Sequence, residues 1–180
     1  MPSNLAETSP CFLPPKGFKI TQNVTWAKLL DSPPAFAVKV RRPKKGAKYL
    51  GIKYEEKVQK FLLKEYKGKY APSPWFKYFD SGDENLKWCQ PDGIYVDLKR
   101  KLIVIVEIKL RHTSAAWWQL ERKYLPVVRH LYGEDYKYAL VEVCKWFDGT
   151  EPFPVPISLR ADLADAKVGS FQVTICKPRN

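Results

Sequence analysis

Asp92, Glu107 and Lys109 are the residues of this chain whose types and spacing point most directly to chemistry. They sit in the stretch 90–109, QPDGIYVDLKRKLIVIVEIK, in which Pro91-Asp92 precedes a turn and an apolar run ends in Glu107-Ile108-Lys109. Two carboxylates and an amine brought to one neighbourhood of a small sheet form a metal-site pattern, because a hard divalent cation takes oxygen ligands and keeps several waters.

The elements that must position these groups are two strands and the turn between them. From Leu102 to Leu110 the sequence LIVIVEIKL is apolar except at Glu107 and Lys109, which predicts a buried central strand. Strand side chains alternate, so Glu107 and Lys109 share a face with Ile103 and Ile105, while Val104, Val106, Ile108 and Leu110 point the other way. A buried strand ends in two charges only where they are paired, solvated or holding a metal. Gly93 to Val96 reads as the neighbouring strand and Asp97 to Arg100 as the polar reversal, a hairpin that returns Asp92 to the side of Glu107.

Pro91-Asp92 followed by Glu107-x-Lys109 at the end of a hydrophobic strand resembles the signature of the PD-(D/E)XK nuclease superfamily, which includes many restriction, repair and phage recombination nucleases. The resemblance implies a mixed α/β fold, a restriction-endonuclease-like αβββαβ core whose central sheet is flanked by helices. It implies that Asp92 and Glu107, with the main-chain carbonyl of Ile108, bind Mg²⁺ or Mn²⁺, and that Lys109 activates or orients the attacking water. In a chain with 31 Lys plus Arg a bare D…ExK carries little; the preceding proline, the turn and the apolar strand make the match specific.

Composition agrees with a folded chain whose partner is polyanionic. The 180 residues suffice for a real core, and 45% hydrophobic with 14% aromatic residues exclude a disordered chain. A formal charge of +12 points to nucleic acid, with duplex or branched DNA as the expected partner. Cys11, Cys89, Cys144 and Cys176 have no zinc-type spacing and read as buried reduced thiols of a cytoplasmic protein. There is no secretory-signal pattern, no apolar run long enough to span a membrane and no internal repeat.

Residues 1–50 read as a proline-rich basic arm and 51–180 as the nuclease-like domain. Phe36 to Val40 could make a short edge strand, and Lys39 to Lys48, KVRRPKKGAK, holds six basic residues and no acid. Arg41, Arg42, Lys44, Lys45 and Lys48 are therefore expected to track a phosphate backbone. Gly51 to Tyr66 reads as a helix with Tyr54, Val58, Phe61 and Leu62 on its sheet-facing side and Glu55 at the margin. Many superfamily members carry an acid here, and Gly51-Ile52-Lys53-Tyr54-Glu55 resembles that arrangement. By the resemblance Glu55 is a third acidic group, binding metal directly or through water; the residues alone leave open a surface glutamate paired with Gln59 or a lysine.

Trp75 to Phe79 and Leu86 to Gln90 read as strands joined by a polar turn whose acids, Asp80, Asp83 and Glu84, are solvated. After Lys109, Arg111 and His112 are candidates for phosphate contact, with His112 an exposed residue at the start of a helix. That helix runs from about Ser114, with Ser114 or Thr113 as N-cap. Its apolar side is Trp117, Leu120, Tyr124, Val127, Val128 and Leu131, and Pro126 kinks or divides it. Gln119 resembles a glutamine that some exonuclease-type members carry four residues before a tyrosine. Here the fourth position is Lys123 and the tyrosine, Tyr124, comes one later, so Gln119 and Lys123 enter as DNA-binding candidates. Tyr136 to Phe147 and Gly169 to Lys177 complete the strands, and Ala161 to Ala166 could form a helical turn.

The function these expectations converge on is a Mg²⁺-dependent deoxyribonuclease, a stand-alone phage or bacterial enzyme in the cytoplasm. The alternative is a nucleic-acid-binding or assembly protein on the same fold without chemistry. End cleavage within a larger complex, as in transposases, is a third arrangement.

Overall fold

A computed structural model describes residues 13–37, 43–81, 83–146, 165–168 and 171–178, with the side chains of 83 and 165–168 excluded. The order of elements is β1 (Val24–Leu29), α1 (Ala47–Glu65), β2 (Tyr70–Pro72), β3 (Phe76–Asp80), β4 (Asp83–Cys89), β5 (Gly93–Asp97), β6 (Leu102–Arg111), α2 (Ser114–Gln119), a π-helical turn (Leu120–Tyr124), α3 (Leu125–Tyr132), β7 (Lys137–Trp146), β8 (Asp165–Val168) and β9 (Phe171–Ile175). The fold is mixed α/β. Six strands form one mixed sheet in the order β2-β5-β6-β7-β9-β8, and β1-β3-β4 form a second, antiparallel sheet.

The expected hairpin is present. β5 and β6 pair antiparallel from Gly93↔Val106 to Asp97↔Leu102, and β6 pairs parallel with β7 along its length, Glu107 lying opposite Glu142 and Lys109 opposite Cys144. The alternation of β6 sorts its side chains onto two cores. Val106 and Ile108 pack with Tyr54 and Val58 of α1, whereas Ile103 and Ile105 pack with Leu120, Tyr124, Val127 and Val128 on the opposite face.

Several expectations are corrected. β3 and β4 do not join the main sheet but pair with each other, and β1 pairs with the other edge of β3, so part of the segment read as an arm is built into the fold. Phe36 and Ala37 are not strand, and 38–42 lie outside the described residues, Arg41 and Arg42 among them. α1 starts at Ala47 after Gly46, whose φ of 90° suits a glycine, and so it includes Lys48. Phe61 and Leu131, expected to be inward, are exposed. Asp80 is buried, not solvated: it accepts from the Gln22 and Asn23 N–H groups and pairs with Lys87, which together overcome burial and hold its carboxyl below the ordinary range. Asp165 and Ala166 belong to a strand, and 161–164 lie outside the described residues.

Gly93 shows why the turn into β5 needs a glycine. Tyr70 of β2 packs over it so closely that a Cβ at this position would lie 2.1 Å from the tyrosine hydroxyl. No helix among the described residues is long and apolar enough to cross a membrane.

Candidate metal centre

The centre is built where the chain leaves β4 and enters β5. The ladder of β5 with β6 stops at Gly93, and the Asp92 side chain takes over the next position: its Oδ2 accepts from the Ile108 N–H at 2.6 Å. The Asp92 carbonyl is fixed from the other side by the Ser73 N–H at 2.8 Å and by Gln59 Nε2 at 3.0 Å. Asp92 is thus clamped to β6, to the 73–75 turn and to α1 together.

Glu107 is 2% exposed, and its Oε1 accepts from Lys109 Nζ at 2.6 Å. Its Oε2 is buried and has no hydrogen-bond partner among the described residues. An ionised carboxylate oxygen out of water and without a donor is costly. A proton or a divalent cation would relieve that cost, and the oxygen-only donors of Glu107 and Asp92 are of the kind that suits Mg²⁺ or Mn²⁺. Ile108, next to Glu107 on β6, points its side chain into the α1 core and gives its N–H to Asp92.

The titration behaviour follows from this crowding. Burial, and then the charge of Asp92, push the Glu107 carboxyl up to about 7. Burial also raises the Asp92 carboxyl, against the pull of the Ile108 N–H and Lys109. For Lys109 burial works downward, but the Glu107 carboxylate and Asp92 beyond it outweigh that and hold the ammonium above the ordinary lysine range.

A stability test follows. Between about pH 4.5 and 7 the folded protein keeps a proton on Glu107 that the unfolded chain releases, so this residue's contribution is full below that window and is lost as pH rises through it. Glu107→Gln cannot titrate. Its melting temperature is expected to match the parent's at pH 5 and exceed it at pH 8, by about 2–4 °C for each 1 kcal/mol recovered. A difference that stays constant across this range would contradict the assignment.

Glu55 comes near without joining the pair. Its Oε1 takes Gln59 Nε2 at 3.3 Å, the same nitrogen that reaches the Asp92 carbonyl, and its charge adds to the upward push on Glu107. Among the described residues no three His, Cys, Asp or Glu side chains converge as a ligand set, so a first-sphere trio of Glu55, Asp92 and Glu107 is not formed.

His112 corrects the sequence reading most sharply. It is 3% exposed, and its Nδ1 donates to Glu142 Oε2 at 2.8 Å, while Glu142 Oε1 accepts the Thr113 N–H at 3.0 Å. This side chain is buried against Glu142, not exposed at the start of a helix. Arg111, Lys44, Lys45 and Lys48 are exposed.

Gln119 and Tyr124 gain a new meaning from the helix between them. A π-helical turn spans Leu120–Tyr124, and the Leu125 N–H reaches back five residues to the Leu120 carbonyl. In such a wide turn positions five apart come to one face, as positions four apart do in an α-helix. Gln119 accordingly hydrogen-bonds Tyr124, whose hydroxyl is raised by burial and by the charges of Glu107 and Asp92. The one-residue departure in sequence is absorbed in space. Pro126, with no N–H to give to Arg122, is compatible with the widened register. Lys123 lies over the Tyr124 ring at 5.7 Å.

The Glu55–Gln59 pair is the alternative that the sequence left open for Glu55. Ser73, Tyr70 and Glu142 are the site residues that sequence reasoning missed, and Glu142 could have been found as a lone acid within the apolar strand YALVEVC. Tyr70 carries a buried hydroxyl without a hydrogen-bond partner among the described residues, and its ionisation is raised by burial and by the charges of Asp92 and Glu55. Burial pushes the thiols of Cys89 and Cys144 up to about 12, which removes both as nucleophiles. Compared with protein-family models, with curated proteins and with solved structures, the chain matches none, and its functional reading rests on this geometry.

Proposed function

We propose that the protein is a divalent-metal-dependent deoxyribonuclease with a restriction-endonuclease-like core, acting in the cytoplasm of a bacterial or phage-infected cell. The observation that carries this reading is that Asp92, tied to the Ile108 N–H, lies near enough to Glu107 for its charge to raise that carboxyl, while one oxygen of Glu107 is buried and has no hydrogen-bond partner among the described residues, beside the Lys109 ammonium. Asp92, Glu107 and the Ile108 carbonyl would hold Mg²⁺, with Glu55 acting through water. When bound, the ion would lower the pKa of a water and offset charge developing on the phosphodiester. Lys109, 27% exposed at its side chain, orients the attacking water or contacts the scissile phosphate. Arg111 and the basic segment Lys39–Lys48 supply phosphate contacts.

A second reading, a nucleic-acid-binding or assembly protein without chemistry, draws on the absence of a three-acid ligand set among the described residues and on the direct Glu107–Lys109 pair. One experiment separates them. Linear, circular, single-stranded and branched DNA are incubated with the protein and Mg²⁺, Mn²⁺ or EDTA, beside Lys109→Ala. The nuclease reading expects metal-dependent cleavage that falls about a hundred-fold or more in the variant. No cleavage of any substrate, with DNA binding equal in both proteins, establishes the binder.

A further inference from the structure

The outer face of the β1-β3-β4 sheet carries aromatic and basic side chains that the metal centre does not use. Val24, Phe76, Tyr78 and Cys89 turn inward to the core. The register then fixes what turns outward: Trp26 opposite Phe79, and Lys28 opposite Lys77, which is opposite Trp88. In a regular strand Trp26 would share the inward face of Val24. The register shift between these two residues sends the indole to the other side, where Trp26 is 40% and Phe79 36% exposed. Their ring centroids are 5.8 Å apart, and Lys77 Nζ stands 5.7 Å from the Trp26 ring. Beside them lies a recess of about 330 Å³, lined by Lys28, Lys77, Leu86, Trp88 and the 30–34 turn that carries Asp31.

We propose that this face is a stacking platform for single-stranded nucleic acid, with unpaired bases against Trp26, Phe79 and Trp88 and the backbone phosphates on Lys28 and Lys77. Exposed rings interleaved with lysines are what non-sequence-specific single-strand binding requires, since every base has a π-face and every linkage a charge. A duplex keeps its base faces stacked and could not use the rings. The lysines also argue against a protein occupant, because lysine is depleted from the cores of protein interfaces. The basic supply continues in the chain: Phe36, packed on Trp88 with centroids 5.0 Å apart, is three residues from Lys39, where the six-cation run begins. From Trp88 near the end of β4 the chain reaches Asp92 in a span of at most about 14 Å of extended chain, so a strand held here is delivered close to the candidate metal centre. The inference rests on the nuclease reading for its consequence, that the substrate has a single-stranded segment, and not for the binding itself.

The test is binding in EDTA, followed by anisotropy of a labelled oligodeoxythymidylate and of an abasic oligomer of equal length. Wild-type protein is compared with the Trp26→Ala/Phe79→Ala double variant. Loss of stacking is expected to weaken oligodeoxythymidylate binding by about ten-fold or more, with the abasic oligomer bound weakly and alike by both proteins. Equal affinity of wild type for the two oligomers would overturn the platform, and this comparison stands even if the double variant misfolds. A double variant that keeps its affinity but loses self-association in sedimentation would also overturn it and make the face an interface between copies. With Mg²⁺ restored, base-dependent binding without cleavage removes the nuclease and leaves the platform. Unchanged single-strand cleavage by the double variant does the reverse.

Discussion

Asp92→Asn is expected to reduce metal-dependent cleavage by about a thousand-fold or more while leaving the protein folded, a loss equivalent to about 4 kcal/mol of transition-state stabilisation. The substitution separates two tasks of one side chain. Asparagine keeps an oxygen where Asp92 Oδ2 accepts the Ile108 N–H, so the tie between the turn and β6 survives. What disappears is the negative charge, half of the carboxylate pair on which the proposed metal site depends. Removing it also relieves Glu107, whose carboxyl should fall from about 7 toward the ordinary range. Calorimetric titration with Mn²⁺ should show weakened binding alongside lost cleavage, and melting should show no penalty. Full cleavage by a folded Asp92→Asn protein would refute the metal assignment.

Glu142→Ala should be the most damaging change to stability near the centre, at about 2–5 kcal/mol, a large part of what a domain of this size possesses. Glu142 is completely buried, and its two oxygens take the His112 Nδ1–H and the Thr113 N–H. Alanine removes the acceptor from both donors at once and leaves a void beside β6. Glu142→Gln, which retains one acceptor oxygen, should lose less. The Glu142 charge also helps to hold Lys109 in its ammonium form, so surviving activity should fall as well. Urea unfolding measures the first effect; a Glu142→Ala protein within about 0.5 kcal/mol of the parent would show that the buried pair does little for stability.

The parts of this arrangement that were legible in the sequence are those governed by local alternation. β6 is apolar enough and long enough that its two faces could be assigned residue by residue, and the hairpin followed from the turn before it. The parts that were not legible depend on partners distant in sequence. β1 looks like a proline-flanked linker and becomes a strand because β3 offers it a ladder. The acid of Asp80 looks like turn chemistry until the N–H groups of Gln22 and Asn23 arrive to bury it. His112 has no local feature that calls for burial, since its acceptor is on β7. The spacing between Gln119 and Tyr124 departs from the α-helical repeat for a different reason: the turn that joins them has a wider pitch.

β6 is bonded along one edge to β5 and along the other to β7, and both of its faces are covered. Amides so enclosed are expected to open only when the whole domain does, which makes the strand beneath Asp92 and Glu107 a rigid floor. On the proposed nuclease reading, the bending that brings phosphate to that floor would come from the polynucleotide, and targets that deform cheaply would gain the advantage.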